Sequence, residues 1–210
     1  MVVLANYKSL VIVGKLKKNA ARLCPLSYKA LCLTQLSIGC NDSATLATVI
    51  SQCSMLFKLH LQHDPRSVKT NTMATFIPVE QSLHLIVGTS IKVLCLSYYA
   101  HLTNDDLLPL MHADLHAVRL DFCGSKKMTD NGMLALLPSM SKLNTIEIRH
   151  CPSLTYEIVL QLPLLCKMLR RFTFIKRDGN NGASVSEAPE LMRRMLCKLY
   201  PHVAHWNVLC

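Results

Sequence analysis

Leu143-Asn144-Thr145-Ile146-Glu147-Ile148-Arg149-His150-Cys151 carries apolar side chains at its first, fourth and sixth positions and a small thiol at its ninth. Leu115-His116-Ala117-Val118-Arg119-Leu120-Asp121-Phe122-Cys123 has the same form. One runs on into Ser153-Leu154-Thr155 and the other into Met128-Thr129-Asp130, and an apolar helical pattern follows each. Working outward from these copies, first positions fall at Tyr7, Leu33, Leu56, Ile91, Leu115, Leu143, Leu169 and Val203. The steps between them are 26, 23, 35, 24, 28, 26 and 34 residues. The long steps hold the polar stretch 65–72 and the Gly- and Asn-rich stretch 176–184, whose composition marks insertions and turns. A period in this range predicts a solenoid of stacked coils, each burying its apolar side against its neighbours.

Each unit predicts a short strand followed by a helix, hence an α/β superhelix of right-handed βα coils. Its parallel strands would line a concave face and its helices the convex side. Helical spacing recurs at Leu46, Val49 and Ile50, with Asp42 or Ser43 as cap, and in 103–111, 129–137 and 155–162. Pro138 and Pro163 are placed to stop two of these helices. In 189–199 the pattern sets Leu191, Met195 and Leu199 inward and Arg193 and Arg194 outward.

Half of the 210 residues are hydrophobic and no linker divides them, so a single domain over 1–210 is expected. No segment approaches the roughly 18 uninterrupted apolar residues of a membrane span. The opening residues lack a charged leader and soon meet Lys15, Lys17 and Lys18, unlike a signal peptide. These features predict a cytoplasmic or nuclear protein with no membrane role. The ten cysteines are then expected as reduced thiols, with Cys123 and Cys151 filling the inside of their turns and Cys53 and Cys166 near helix ends.

Side chains alternate along a strand, so residues between the apolar positions point onto the concave sheet. This nominates Lys58, His60, Arg119, Asp121, Thr145, Glu147, Arg149 and Arg171 as a protein-binding strip. A solvated, self-paired charge ladder is the alternative reading of the same pattern. The formal charge of +10 comes from scattered clusters such as Lys126 and Lys127, or Arg170, Arg171, Lys176 and Arg177. Basic clusters steer acidic partners or nucleic acid, but no aromatic residues interleave these runs to stack bases. We read them as solvated surface and nucleic acid as a disfavoured partner.

No phosphate-binding glycine loop, nucleophile elbow or zinc-protease helix is present. The close histidine pairs, His60/His63, His112/His116 and His202/His205, lack a third ligand, and surface histidines account for them. The chain reads as a non-enzymatic scaffold without catalytic residues, metal or cofactor.

From Leu94 to Cys166 the copies resemble the cysteine-containing leucine-rich repeat. The resemblance is carried by Val118-Arg119-Leu120-Asp121-Phe122-Cys123 with Met128-Thr129-Asp130-Asn131-Gly132-Met133, and by Ile146-Glu147-Ile148-Arg149-His150-Cys151-Pro152 with Leu154-Thr155. Such repeats are similar to the substrate-recognition arcs of F-box/leucine-rich-repeat proteins, the receptors of SCF-type ubiquitin ligases. The resemblance implies a leucine-rich-repeat solenoid that holds a protein substrate while a separate F-box docks on the SCF adaptor. No F-box pattern is visible, and the single Trp, Trp206, falls in the last repeat. We therefore expect a domain lacking its own terminal caps, part of a larger protein or truncated. A standalone adaptor or inhibitor with no ubiquitin role is the alternative function.

Overall fold

Two residues after each repeat start a five-residue strand begins: β2 (Ser9–Val13), β3 (Gln35–Gly39), β4 (Lys58–Gln62), β5 (Val93–Ser97), β6 (Ala117–Asp121), β7 (Thr145–Arg149), β8 (Arg171–Ile175) and β9 (His205–Leu209). The computed structural model describes residues 2–6, 9–13, 33–39, 43–63, 79–124, 126–176 and 188–209. Tyr7, Lys15 to Lys18, Asp42, the stretch 65–72 and residues 177–184 lie outside the described residues. β2 to β9 form one sheet in sequence order, each strand parallel to the next. The periodicity did not reveal β1 (Val2–Asn6), which pairs antiparallel with β2, so the sheet is parallel except at this edge.

Register makes two apolar columns across the strands. Leu36, Leu59, Leu94, Val118, Ile146, Phe172 and Trp206 align in one, and Ile38, Leu61, Leu96, Leu120, Ile148, Phe174 and Val208 in the other. All are buried in a single cluster that includes Leu46, Leu107, Met133, Leu136, Ile158 and Leu162 from the helices. The helices therefore cover the face carrying these columns. Burying one such aliphatic side chain stabilises by about 1.5–3 kcal/mol, and each strand repeats the contribution. The strand positions between the columns stay outside the cluster and form the open face.

The helices are α1 (Ser43–Gln52), α2 (Asn104–Leu107), α3 (Asp130–Leu136), α4 (Glu157–Leu165) and α5 (Ala188–Leu199). Short 3₁₀ turns extend α2 over Leu108–His112 and α3 over Leu137–Ser139, and another spans Val79–Ile86. Thr-Asn and Thr-Asp pairs link successive strand–helix units. Thr103 and Thr129 cap α2 and α3, each accepting from a backbone N–H of the first turn. Asn104 then holds Thr129 through side chain and backbone, at 3.1 and 3.3 Å. Asp130 holds Thr155 in the same way, accepting from its backbone N–H at 2.9 Å and from its hydroxyl. A Cβ added at Gly132 would strike the Asn104 amide. Gly132→Ala is thus expected to push Asn104 off Thr129 and lower stability by about 1 kcal/mol despite Ala's better helix propensity. Urea denaturation of the two proteins checks this, and an increase in midpoint would contradict it.

Two local expectations need correction. Pro163 does not follow its helix but lies inside α4, whereas Pro138 follows α3 as expected, in the 3₁₀ turn. Proline removes a helix donor, and two other carbonyls of α4 have partners outside the helix. Tyr200 Oη donates to Leu160 O at 2.8 Å, and His202 Nε2 contacts Pro163 O at 3.2 Å. On α5 the buried stripe is Leu196 and Tyr200, whereas Met195 and Leu199 are 55% and 60% exposed. Arg193 and Arg194 are exposed as expected, and the Leu191 side chain lies outside the described side chains. The helix expected over 155–162 begins at Glu157 as α4, after Tyr156 without a side-chain cap, and Thr155 Oγ1 accepts from Glu157 N.

The ninth-position thiols have a physical role. Cys123 Sγ donates to Leu96 O of the preceding coil at 3.2 Å, and Cys151 Sγ approaches Leu120 O at 3.9 Å and Arg149 O at 3.4 Å. Burial pushes the Cys151 and Cys166 thiols up to about 12. Thiolate is the reactive form, so brief iodoacetamide treatment of the native protein at pH 8 is expected to label exposed Cys197 and spare Cys151 and Cys166. Labelling of all three at equal rates in the mass spectrum would contradict this packing.

Candidate functional site

On the open face the parallel register stacks side chains into three rows, with adjacent strands about 4.8 Å apart. The first row runs Lys58, Val93, Ala117, Thr145, Arg171; the middle row His60, Cys95, Arg119, Glu147, Thr173; the last row Gln62, Ser97, Asp121, Arg149, Ile175. All eight residues nominated from sequence lie in these rows. Arg119, Asp121, Glu147 and Arg149 come together as one patch on β6 and β7. Lys58 and Arg171 flank it on β4 and β8, and Thr145 is half-buried at the start of β7. His60 is two strands from Arg119, with Cys95 between them.

The patch is organised around Glu147. Its carboxylate, 9% exposed, accepts Arg119 Nη2 through Oε1 at 3.1 Å and Arg149 Nη2 through Oε2 at 3.2 Å. The guanidinium side chains are 36% and 42% exposed. A glutamate expected to present itself to a partner is instead recessed, because two long arginines from its own and the adjacent strand close over it. Glu147 holds the arginines while they face outward. Arg119 Nε, Arg149 Nε and Asp121 Oδ1 are buried and make no hydrogen bond among the described residues.

His60 is also engaged. Its Nδ1 lies 3.0 Å from Ser37 Oγ and its Nε2 2.9 Å from Ser97 Oγ, so the ring bridges β3 to β5. Burial and then the Lys58 ammonium lower its pKa against the opposing pull of Asp121, which favours a neutral imidazole. At the strand entrances Asp114 takes both Lys92 and Lys142, the latter at 2.9 Å, and these ammonium groups hold its carboxyl down at about 2. Lys126 and Lys127 are exposed in the loop between β6 and α3, away from the three rows.

One feature of the strip escaped the sequence reading. The residues directly after β5, β6 and β7 are Tyr98, Phe122 and His150, and their rings stack in a continuous column. The signal was present at the eighth position of the units, which reads Gly14, Cys40, His63, Tyr98, Phe122, His150, Lys176 and Cys210 down the copies, with rings only from His63 to His150. Attention to the apolar first, fourth and sixth positions left it unread.

Among the described residues no three His, Cys, Asp or Glu side chains gather as a metal site, and no helix is long and apolar enough to cross a membrane. No family model matches the chain, and no curated protein matches it.

Proposed function

We propose that this chain is a leucine-rich-repeat solenoid whose open, concave strand face is a protein-binding surface, acting as the substrate-recognition arc of an SCF-type ubiquitin-ligase receptor. The observation that carries the binding reading is the patch on β6 and β7, where a recessed Glu147 orients two outward-facing arginines. A charge ladder serving only solubility has no need to place its shared carboxylate below the surface. Fixed guanidiniums lose little conformational freedom on meeting a partner, which favours affinity. The ubiquitin-ligase role rests on the repeat resemblance, which also suggests an F-box as the link to the SCF adaptor.

The test is capture of protein partners from lysate by immobilised protein, with identification by mass spectrometry. Arg149→Glu with Arg171→Glu is expected to abolish capture of the specific partner while the circular dichroism spectrum stays native, although the melting temperature falls because Arg149→Glu sets a like charge beside Glu147. Loss of a desolvated charged contact costs about 2–5 kcal/mol. Lys126→Glu with Lys127→Glu is expected to leave capture intact, and the opposite pattern would move the site off the strand face. Co-purification of the SCF adaptor with a version extended upstream supports the ligase role. Its absence, with partner capture retained, favours a standalone adaptor.

A further inference from the structure

Tyr98, Phe122 and His150 hold φ values of 65°, 51° and 52°, a left-handed conformation that Gly or Asn adopts with less strain than a bulky ring. Each backbone N–H donates to the last carbonyl of the next strand, at 2.9 Å to Asp121, 2.9 Å to Arg149 and 2.7 Å to Ile175. The sheet rim thus requires the turn but not a ring at this place. Three rings nevertheless occupy it, with centroids 5.0 and 4.5 Å apart and interplanar angles of 3° and 28°. Tyr98 is 47% exposed, and Phe122 and His150 are half-buried. An aromatic ledge therefore borders the row that contains Asp121 and Arg149.

We infer that this ledge and the Arg119/Arg149 pair form the anchor for an acidic peptide segment bearing an aromatic or aliphatic side chain, supplied by the protein partner. The inference rests on the protein-binding reading above and specifies the partner's chemistry. Stacking covers both faces of Phe122 and one face each of Tyr98 and His150, leaving ring edges along the column, and aromatic edges carry partial positive charge. Of the neighbouring charges, both guanidiniums reach solvent, while Glu147 is recessed and half-buried Asp121 has one carboxylate oxygen, Oδ1, buried. Carboxylates meet the arginines, and an apolar side chain covers the ledge. The stack leaves no gap between its rings for a nucleic-acid base to enter.

The test uses a fluorescein-labelled peptide with a Phe-Leu-Phe centre flanked by acidic residues, titrated with the intact protein and followed by anisotropy. Saturable binding is expected, at least tenfold tighter than for peptides with Lys in place of the acids or Ser in place of the apolar centre. Tyr98→Gly and Phe122→Gly remove the rings while relieving the left-handed strain, so folding should persist as probe affinity falls at least tenfold. Arg119→Gln with Arg149→Gln should weaken the probe similarly and flatten its salt dependence. Equal binding of the Lys peptide, unchanged affinity in the folded glycine variants, or equally tight binding of a single-stranded oligonucleotide would overturn the inference. Capture lost on Arg149/Arg171 reversal but kept in the glycine variants would overturn the ledge alone. Capture unaffected by that reversal would overturn the underlying reading.

Discussion

Ile146→Asp is expected to unfold the central coils, with loss of the cooperative thermal transition at 37 °C. Ile146 is 1% exposed and sits in register between Val118 and Phe172, so no water reaches the site and no cation from the open face can turn inward. Truncating a buried Ile to Ala costs about 2–5 kcal/mol through lost burial and the cavity left behind. Aspartate adds the cost of burying a polar carboxyl, charged or protonated, without partners. Together these approach the total stability of a typical domain, about 5–15 kcal/mol. The damage spreads because each strand pairs only with its sequence neighbours, and β7 joins the preceding strands to β8 and β9. Ile146→Val should cost only about 1 kcal/mol, and Thr145→Asp on the open face should leave the transition in place. A native-like melt for Ile146→Asp would mean that this position faces solvent and that the register is wrong.

The repeat was readable because strand register repeats with the chain. Each unit spends its apolar residues at the fourth and sixth positions, and parallel pairing in sequence order turns that pattern into two continuous columns. Depth and rotation are not encoded in this way. On α5, Leu191, Met195 and Leu199 form one apolar stripe and Met192, Leu196 and Tyr200 another, about 100° apart. The choice is made by where the helix meets its neighbour: Tyr200 bonds Leu160 O and packs beside Trp206 at a ring separation of 6.0 Å. Glu147 shows the same limit on the sheet. Its position between two apolar residues placed it on the open face, but its burial comes from Arg119 across β6 and Arg149 two residues along. The N-terminal β1 escaped because an antiparallel hairpin needs no repeat. For the site, the sequence could nominate the charged residues one by one but not the carboxylate they share.

That shared carboxylate yields the second large effect. Glu147→Ala is expected to destabilise the protein by about 2 kcal/mol and to abolish partner binding, although Glu147 itself is recessed from the surface. Removing one member of a buried ion pair typically costs about 3–5 kcal/mol because the remaining charge is stranded. Here Arg119 and Arg149 are 36% and 42% exposed, so solvent screens part of that penalty and the lower figure follows. Glu147→Gln should fall between Ala and wild type, since the amide keeps an acceptor for one arginine but loses the charge that restrains both. The decisive comparison is a triple replacement, Arg119→Met, Glu147→Leu and Arg149→Met. An apolar substitute of similar volume often matches or exceeds a buried ionic cluster in stability, so this variant should recover most of the loss from Glu147→Ala. It should not recover binding, because the outward guanidiniums are gone. Thermal melts and partner capture on the same set of variants separate the two roles. If Glu147→Ala melts as wild type does and still captures the partner, the arginines do not depend on Glu147 for their placement.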